Sequence, residues 1–387
     1  MNARNGSRLD RIDARLLTPL VRNALGSPDA RITEWEHRVI KGDWTPPTGL
    51  VCRFFGRGAG PAGPVQWSLI LKVPSPARLH PDVLRREPFQ RELLLYRSGV
   101  LDNLPGGLAV PRLLGVMEHP GDEPWMWFED VSGGESLHWP LKRFPLAAYH
   151  FGVMQGTFLA GAPLPDLPWM DISSRLGPQL ARSFERVPPV LERFRAHPLA
   201  NRLYDADLGR GVRELWADRA AFADALDRMP RSLCHGDFCY PNLFARRLAD
   251  GGDQTVVIDW QYAGRRQIGG DMAGLIADSS ILPVRRKAAE PEEFSEMILE
   301  SYLSGLRAAG WTGDPRIARF ACIATLALPW SINLLSSLNG GILAQPLSDE
   351  SRPQLAEKLE QYAHRQRFLL ALAAEARGLL EVVERQL

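Results

Sequence analysis

The sequence predicts an α+β fold with two lobes, a small antiparallel sheet with one helix and a larger, mostly helical part. Apolar segments separated by Gly- and Pro-rich turns occupy the first 130 residues. From Leu137 onward, apolar residues recur mainly at helical spacing. A Gly-containing stretch lies between the two patterns. We therefore expect lobes at residues 1–130 and 137–387, joined by a hinge at residues 131–136.

The first lobe is predicted to open with an amphipathic helix between Leu9 and Leu25, which contains Pro19. Three strands in an antiparallel meander should follow, and after them one helix and two further strands. In chain order these segments read ITEWEHRVI, LVCRFFGRG, VQWSLILKVP, FQRELLLYRSG, AVPRLLGV and PWMWFEDV.

The second lobe is predicted to be helical around one insert. Helical periodicity covers residues 147–161, 178–187, 211–226, 292–310 and 354–387. The insert reads CHGDFCYPNLF and then QTVVIDW, which predicts a Pro-containing loop followed by a strand. The apolar run Phe320–Leu335 is shorter than the roughly 20 residues of a membrane span and contains proline and asparagine, which favours a core helix.

Composition and charge restrict the classes of function. The chain has 387 residues, of which 45% are hydrophobic and 24% charged, as in ordinary globular proteins. A net charge of +1 argues against nucleic acid or a membrane as partner, and no obligate protein partner is evident. The N-terminal residues lack the pattern of a secretory signal, which predicts a cytoplasmic protein. A zinc site at Cys234, His235 and Cys239 is disfavoured because adjacent ligands give poor geometry.

Three polar residues in and after the insert supply groups that phosphoryl transfer requires. Four residues separate Asp237 from Asn242, and Asp259 ends the apolar strand. The reaction needs a carboxylate for the proton of the attacking hydroxyl and oxygen ligands for Mg²⁺ at the nucleotide phosphates. The spacing matches the catalytic loop and the strand-end metal aspartate of the protein-kinase fold.

A lysine and a glutamate in the first lobe extend this pattern. Lys72 lies near the end of the third strand and Glu92 in the following helix, where an ion pair would position the phosphates. Taken alone, such residues usually belong to the surface. Their order ahead of the loop favours the functional interpretation. For a solvent-exposed pair, we expect Lys72→Ala to impair nucleotide binding and to change thermal stability little.

The motifs HGDFCYPN, IDW and GDMAGL follow the lysine strand and the RELLLY helix. Together they resemble the aminoglycoside phosphotransferase and choline kinase-like superfamily of small-molecule kinases. The resemblance runs from about Trp35 to Leu275. It implies a protein-kinase-like two-lobe fold, Mg²⁺ as cofactor and ATP or GTP as phosphoryl donor. The implied acceptor is a hydroxyl of a small molecule, such as an antibiotic, a sugar or an amino alcohol.

The resemblance also implies a role for each motif residue. Asp237 would be the catalytic base, and Asn242 and Asp259 would be the magnesium ligands. Lys72 and Glu92 would position the phosphates.

Further residues would support the loop or bind the nucleotide. By the resemblance, His235 would orient the catalytic loop and Asp271 in GDMAGL would brace it. Trp127 would line the back of the nucleotide pocket. Four hinge residues would bind the base through backbone groups: Phe128, Glu129, Asp130 and Val131.

Two departures from protein kinases bear on the acceptor. The loop KGDWTPPTG lacks the GxGxxG pattern, and Trp260 and Gln261 follow the metal aspartate with no long activation segment. This favours a small-molecule acceptor over a protein. A protein kinase and a catalytically silent pseudokinase are the alternatives, and the second is disfavoured because every catalytic position is filled.

The acidic cluster between Glu290 and Glu300 has two interpretations. It fits the acidic first turn of a helix around Pro291, and it would also attract a polycationic aminoglycoside. The sequence does not identify the acceptor.

Overall fold

The computed structural model describes residues 9, 12–42, 49–74, 91–118, 124–132, 139–170, 187–281, 290–338 and 352–386. The chain divides into two units. The first consists of Met1–Leu104, Ala109–Ser136 and Phe244–Tyr262. The second consists of Pro105–Leu108, Leu137–Leu243 and Ala263–Leu387. The predicted hinge at residues 131–136 falls partly outside the described residues, so its bounds stay a prediction. The predicted helix at residues 178–187 lies outside them except for its last residue.

The described residues form helices and short strands in both units. The strands are β1 Arg31–Lys41, β2 Leu50–Gly60, β3 Gly63–Val73, β4 Leu108–Ala109, β5 Leu113–Met117, β6 Trp125–Glu129, β7 Arg231–Cys234, β8 Leu243–Arg247, β9 Asp253–Val257 and β10 Gly264–Gln267. The helices are α1 Ala14–Leu25, α2 Arg91–Arg97, α3 Arg143–Leu159, α4 Val187–Ala196, α5 Ala206–Ala217, α6 Arg219–Arg228, α7 Gly270–Ile276, α8 Pro291–Ala308, α9 Pro315–Ser337 and α10 Arg352–Gln386.

The first unit is built on a five-stranded antiparallel sheet in the order β1-β2-β3-β6-β5. The predicted meander of three strands is confirmed. The segment AVPRLLGV forms two short strands rather than one, and Pro111 lies between them. Proline has no backbone N–H for a ladder hydrogen bond, so it interrupts a strand at this position.

One face of this sheet forms a hydrophobic core under α1. Leu17 and Val21 of α1 are buried with Leu69 and Leu71 of β3 in one cluster. The side chain of Asp13 caps α1 by accepting a hydrogen bond from the Leu16 amide at 2.9 Å. The predicted amphipathic helix with an internal proline is thus confirmed over α1.

In the second unit, α3 and α8 pack with almost no space between their backbones. A Cβ atom on Gly152 would lie 2.2 Å from the carbonyl oxygen of Tyr302, and one on Gly305 would lie 2.2 Å from that of Tyr149. Real Cβ atoms do not approach backbone oxygens this closely. Glycine at these positions therefore sets the distance between the two helices.

We expect Gly305→Ala to lower the free energy of unfolding by about 1–3 kcal/mol, because the added methyl forces α3 and α8 apart. Gly378→Ala is the matched control. Gly378 lies on α10 with nothing within 4 Å of a Cβ, so the same change there should raise stability by up to about 1 kcal/mol. Chemical denaturation of both variants measures the difference, and equal stabilities would contradict the packing argument.

The predicted core helix is confirmed. Within the described residues, α9 is the one helix long and apolar enough to cross a membrane, but 67% of its most apolar stretch of 18 residues is buried inside the protein.

The predicted acidic first turn of a helix around Pro291 is also confirmed. Helix α8 starts at Pro291 with Glu292 and Glu293 in its first turn, where negative charge interacts favourably with the helix dipole.

Candidate active site

Lys72, Glu92 and Asp259 form a compact cluster in the first unit. The Nζ atom of Lys72 lies 2.5 Å from Oε2 of Glu92 and 2.6 Å from Oδ1 of Asp259. The predicted ion pair between Lys72 and Glu92 is therefore confirmed as a contact. The contact between Lys72 and Asp259 was not predicted, because the two residues lie 187 positions apart in the sequence.

This cluster is buried, so the assumption of a solvent-exposed ion pair is wrong. The side chains of Lys72, Glu92 and Asp259 are 18%, 7% and 18% exposed. Glu92 lies on the buried side of α2, and its Oε1 accepts a hydrogen bond from the amide of Trp260 at 3.2 Å. Removing one partner would leave a charge that water reaches poorly, which costs more than breaking a surface pair.

Burial and charge act in opposite directions on the pKa values of this cluster. Burial alone would lower the pKa of Lys72, but the charges of Asp259 and Glu92 outweigh it and raise that pKa. Burial raises the pKa of Glu92, and Lys72 opposes this only in part. One ammonium group thus faces two carboxylates, an arrangement that holds the lysine protonated and in place.

Asp259 occupies a strained backbone conformation. Among the described residues it is the one non-glycine residue in the left-handed region, with φ of 67°. The indole of the next residue, Trp260, is fully buried and donates from Nε1 to the carbonyl of Val257 at 2.9 Å. Strain of this kind persists where the surroundings enforce it, and it is concentrated at functional sites.

The loop after β7 lies in the second unit and holds Asp237 and Asn242. The Nδ2 atom of Asn242 donates to the backbone oxygen of Asp237 at 2.9 Å and to its Oδ2 at 3.1 Å. The amide of Asp237 donates to Nδ1 of the buried His235 at 3.2 Å. The loop thus fixes its own carboxylate, and Oδ1 is the atom of Asn242 that can ligate a metal.

Asp271 in the first turn of α7 contacts the same loop. Its Oδ1 accepts a hydrogen bond from the amide of Gly236 at 2.7 Å. Burial raises the pKa of Asp271, while the hydrogen bond from Gly236 and the charge of Arg266 oppose that rise. This is the contact expected of a residue that braces the loop.

A buried polar network under the loop was not predicted. Gln155 of α3 donates through Nε2 to the carbonyl of Leu233 at 3.0 Å, and Tyr302 of α8 donates to Oε1 of Gln155. The Tyr302 hydroxyl also accepts from the amide of Gly269 at 3.0 Å. The network thus ties the end of β7 to the start of α7. A single glutamine on the apolar face of α3 is the sequence signal for it.

Trp127 does not line the face that carries Lys72. In the register of β3 and β6, Trp127 pairs with Leu71, whereas Lys72 pairs with Met126. Side chains alternate along a strand, so Trp127 points to the opposite face, where its ring lies 5.1 Å from that of Phe54. The predicted position of Trp127 is therefore wrong, and Met126 is the neighbouring residue of β6 on the Lys72 face.

Of the four residues predicted to bind the base, Phe128 and Glu129 end β6, and Asp130 and Val131 follow it. Phe128 is buried with its ring 5.3 Å from Tyr96. The carboxylate of Glu129 pairs with Arg112 at 3.0 Å and with Arg246 at 2.6 Å, and these contacts outweigh burial and lower its pKa. The end of β6 is therefore tied to Arg112, just before β5, and to Arg246 on β8.

A groove of about 930 Å³ adjoins the hinge on the Lys72 face of the sheet. Its lining includes Arg53, Phe55, Ser68, Asp130 and Ser132. Its size is typical of a small-molecule site. The loop KGDWTPPTG lies mostly outside the described residues.

The predicted site residues therefore form two groups in different units. The first unit brings together Lys72, Glu92 and Asp259. The second unit brings together His235, Asp237, Asn242 and Asp271.

A model of the phosphotransferase enzyme family matches residues 57–312. The chain belongs to this family. The match extends from β2 to the residues before α9 and includes both groups of site residues. This match confirms the predictions of the aminoglycoside phosphotransferase family and of a small-molecule kinase.

Several solved structures are similar to this chain. An aminoglycoside phosphotransferase from Alicyclobacillus acidocaldarius is 16% identical with a TM-score of 0.52, and the match covers 90% of this chain and 93% of that chain. An amicoumacin kinase in complex with AMP-PNP and Ca²⁺ is 13% identical with a TM-score of 0.48, covering 92% and 95%. An ethanolamine kinase from Plasmodium vivax is 13% identical with a TM-score of 0.43, covering 87% and 81%. No curated protein sequence matches this phosphotransferase significantly. The likeness to the aminoglycoside phosphotransferase from Alicyclobacillus acidocaldarius confirms the predicted two-lobe, protein-kinase-like fold.

Proposed function

We propose that the chain transfers the γ-phosphoryl group of ATP or GTP to a hydroxyl of a small molecule. The observation that carries this proposal is the buried cluster of Lys72, Glu92 and Asp259. Phosphoryl transfer depends mainly on positioning and electrostatic stabilisation, and a lysine held by two carboxylates is a fixed cation for phosphate oxygens. Membership in the phosphotransferase family supports the same reaction class.

In this proposal Asp237 accepts the proton of the attacking hydroxyl. Its carboxylate is held by Asn242 within the loop, so little rearrangement is needed before the proton moves. The acceptor belongs to the class of small hydroxylated molecules, and antibiotics, sugars and amino alcohols all fit the description.

Asn242 and Asp259 are proposed to bind Mg²⁺. Carboxylate and amide oxygens are the hard ligands that Mg²⁺ prefers, and both residues offer one. The chemistry supplied by bound Mg²⁺ is neutralisation of the negative charge on the phosphates. Lys72 would bind the phosphate oxygens, and Glu92 would hold its ammonium group in place.

A panel assay tests the function directly. Purified protein is incubated with Mg²⁺, either ATP or GTP, and antibiotics, sugars or amino alcohols, and phosphate on the acceptor is detected by mass spectrometry. We expect transfer to at least one acceptor class. Nucleotide binding without transfer to any acceptor would favour the silent pseudokinase, and absence of both would contradict the proposal.

Asp259→Asn tests the metal assignment. Asparagine tolerates the left-handed conformation of this position and keeps one oxygen, so the fold should survive the change. We expect the Mg²⁺ dependence of nucleotide binding to shift to about tenfold higher concentrations, because a carboxylate ligand is lost. Calorimetric titrations with and without Mg²⁺ measure the shift.

Asp253→Asn is the matched control for that experiment. Asp253 begins β9, the same strand that leads to Asp259, and it pairs with Arg247 at 3.0 Å. Nucleotide binding by Asp253→Asn should depend on the Mg²⁺ concentration in the same way as binding by the unmodified protein. An unchanged Mg²⁺ dependence in Asp259→Asn as well would remove Asp259 from the metal site.

A further inference from the structure

Asp130 follows β6 and gathers donors from three separate segments. Its carboxylate accepts from the hydroxyl of Ser68 on β3 at 2.5 Å and pairs with Nε of Arg53 on β2 at 2.8 Å. The amide and the hydroxyl of Ser132 donate to its Oδ1 at 2.9 and 2.5 Å. The side chain of Asp130 is 8% exposed. A carboxylate this buried and this completely hydrogen-bonded is costly to disturb.

These contacts act on the hinge backbone in particular. The bond from the Ser132 amide to the Asp130 side chain closes an Asx turn around Val131. Ser68 and Arg53 then hold the turn against β3 and β2. Burial would raise the pKa of Asp130, but the hydrogen bonds from Ser132 and Ser68 and the charge of Arg53 lower it, so the group stays charged.

The position of Asp130 separates it from the phosphate-binding lysine. Ser68 and Lys72 lie on the same face of β3, four residues apart, which is about 13 Å along a strand. The groove next to the hinge includes Asp130, Ser68 and Arg53 among its lining residues. A nucleotide whose phosphates contact Lys72 would therefore present its base, not its phosphates, at the Asp130 end.

We propose that Asp130 is a positioning residue that holds the hinge backbone ready for the nucleobase, so that it determines affinity for the base and not for the phosphates. This inference rests on the proposed function, because it requires a nucleotide donor. It assigns to the side chain of Asp130 a task beyond the backbone contacts expected of the hinge. Preorganisation of this kind raises affinity by removing the entropy cost of ordering the turn on binding.

Three ligands distinguish binding at the base end of the site from binding at the phosphate end. They are ATP with Mg²⁺, GTP with Mg²⁺, and inorganic triphosphate with Mg²⁺. Binding of each to the full chain is measured by calorimetry, directly for the nucleotides and by competition for triphosphate. We expect Asp130→Ala to weaken binding of the preferred nucleotide about tenfold and to leave triphosphate binding unchanged. In turnover assays KM for the nucleotide should rise with kcat unchanged.

Further variants make the result decisive. Asp130→Asn keeps an acceptor for Ser132 but loses the charge, so nucleotide affinity should stay within about threefold of the unmodified protein. If Asp130→Ala does not fold, Ser68→Ala replaces it, because it removes the hydroxyl that holds Asp130 against β3. Nucleotide affinity should then fall severalfold with triphosphate binding unchanged, and normal nucleotide affinity would overturn the role of Asp130. Glu118→Ala is the control, since Glu118 is an exposed carboxylate of the same unit that accepts from Arg97 at 2.6 Å. It should bind all three ligands normally.

Each contrary outcome has a distinct meaning. Equal nucleotide affinity in Asp130→Ala and the unmodified protein overturns the role of Asp130 while the proposed function stands. An equal loss of triphosphate binding overturns it too, because the damage would then be general. If the unmodified protein binds neither nucleotide, the proposed function fails and this inference fails with it.

Discussion

Replacing Asp237 by Asn is expected to lower kcat by about two to four orders of magnitude. The amide keeps the shape of the side chain but cannot accept a proton from the attacking hydroxyl. The bond from Asn242 to the backbone oxygen of Asp237 does not involve the substituted group, so the loop should keep its conformation. KM for the nucleotide should stay within about threefold, because proton transfer and nucleotide binding are different steps.

The measurement is a steady-state assay with the acceptor found in the panel, together with circular dichroism of the variant. Asp224→Asn is the control, since Asp224 is exposed on α6 in the same unit. It should retain full turnover. Near-normal kcat in Asp237→Asn would exclude Asp237 as the base and leave its contact with Asn242 as a purely structural one.

Replacing Lys72 by Met is expected to abolish measurable nucleotide binding and also to destabilise the folded protein. Methionine keeps the length of the side chain and removes the charge. Glu92 and Asp259 would then face each other in a site where their side chains are 7% and 18% exposed. Loss of one partner from a buried ionic group typically costs about 3 kcal/mol or more.

The same variant should have a pH-dependent stability. Burial already raises the pKa of Glu92 above its ordinary 4.5, and removing Lys72 removes the charge that opposes this rise. A carboxyl group with a raised pKa in the folded state binds protons more strongly when folded. Its contribution to stability is therefore complete at low pH and is lost as pH rises above about 4.5 towards the raised pKa. The unfolding midpoint of Lys72→Met should fall across this range more steeply than that of the unmodified protein.

A double variant separates the two effects of Lys72. In Lys72→Met/Glu92→Gln one of the facing carboxylates is neutral, so stability should return while nucleotide binding stays absent. Arg97→Met is the control for a surface pair in the same helix as Glu92, and it should cost no more than about 1 kcal/mol. A Lys72→Met protein as stable as Arg97→Met at neutral pH would contradict the buried cluster.

Local pattern was sufficient to predict most of the elements and the contact between Lys72 and Glu92. Lys72 and Glu92 were paired from their order in the chain, and the contact between them is present. The loop with Asp237 and Asn242 was predicted because proline and glycine exclude a helix there. Each of these predictions depends on residue types and their spacing within a short stretch of the sequence.

The remaining features depend on which face a residue takes and on contacts distant in sequence. In β6 both faces are buried, so alternation gives no signal and Trp127 was assigned to the wrong side. The carboxylate of Glu92 accepts a hydrogen bond from the amide of Trp260, which follows it by 168 positions. The donors around Asp130 come from β2, β3 and the hinge, and no motif links them.

The assignment of Phe244–Tyr262 to the first unit has a consequence for synthesis of the chain. Lys72 and Glu92 are made early, but Asp259, which pairs with Lys72, is made only after residues 137–243 of the second unit have been added. Domains that are continuous in sequence can fold as soon as they leave the ribosome. Here the first unit cannot reach its complete form until residue 262 has been added. A fragment that ends at the hinge would lack β8, β9 and Asp259, and it would leave the Lys72 site unfinished however well its sheet folded.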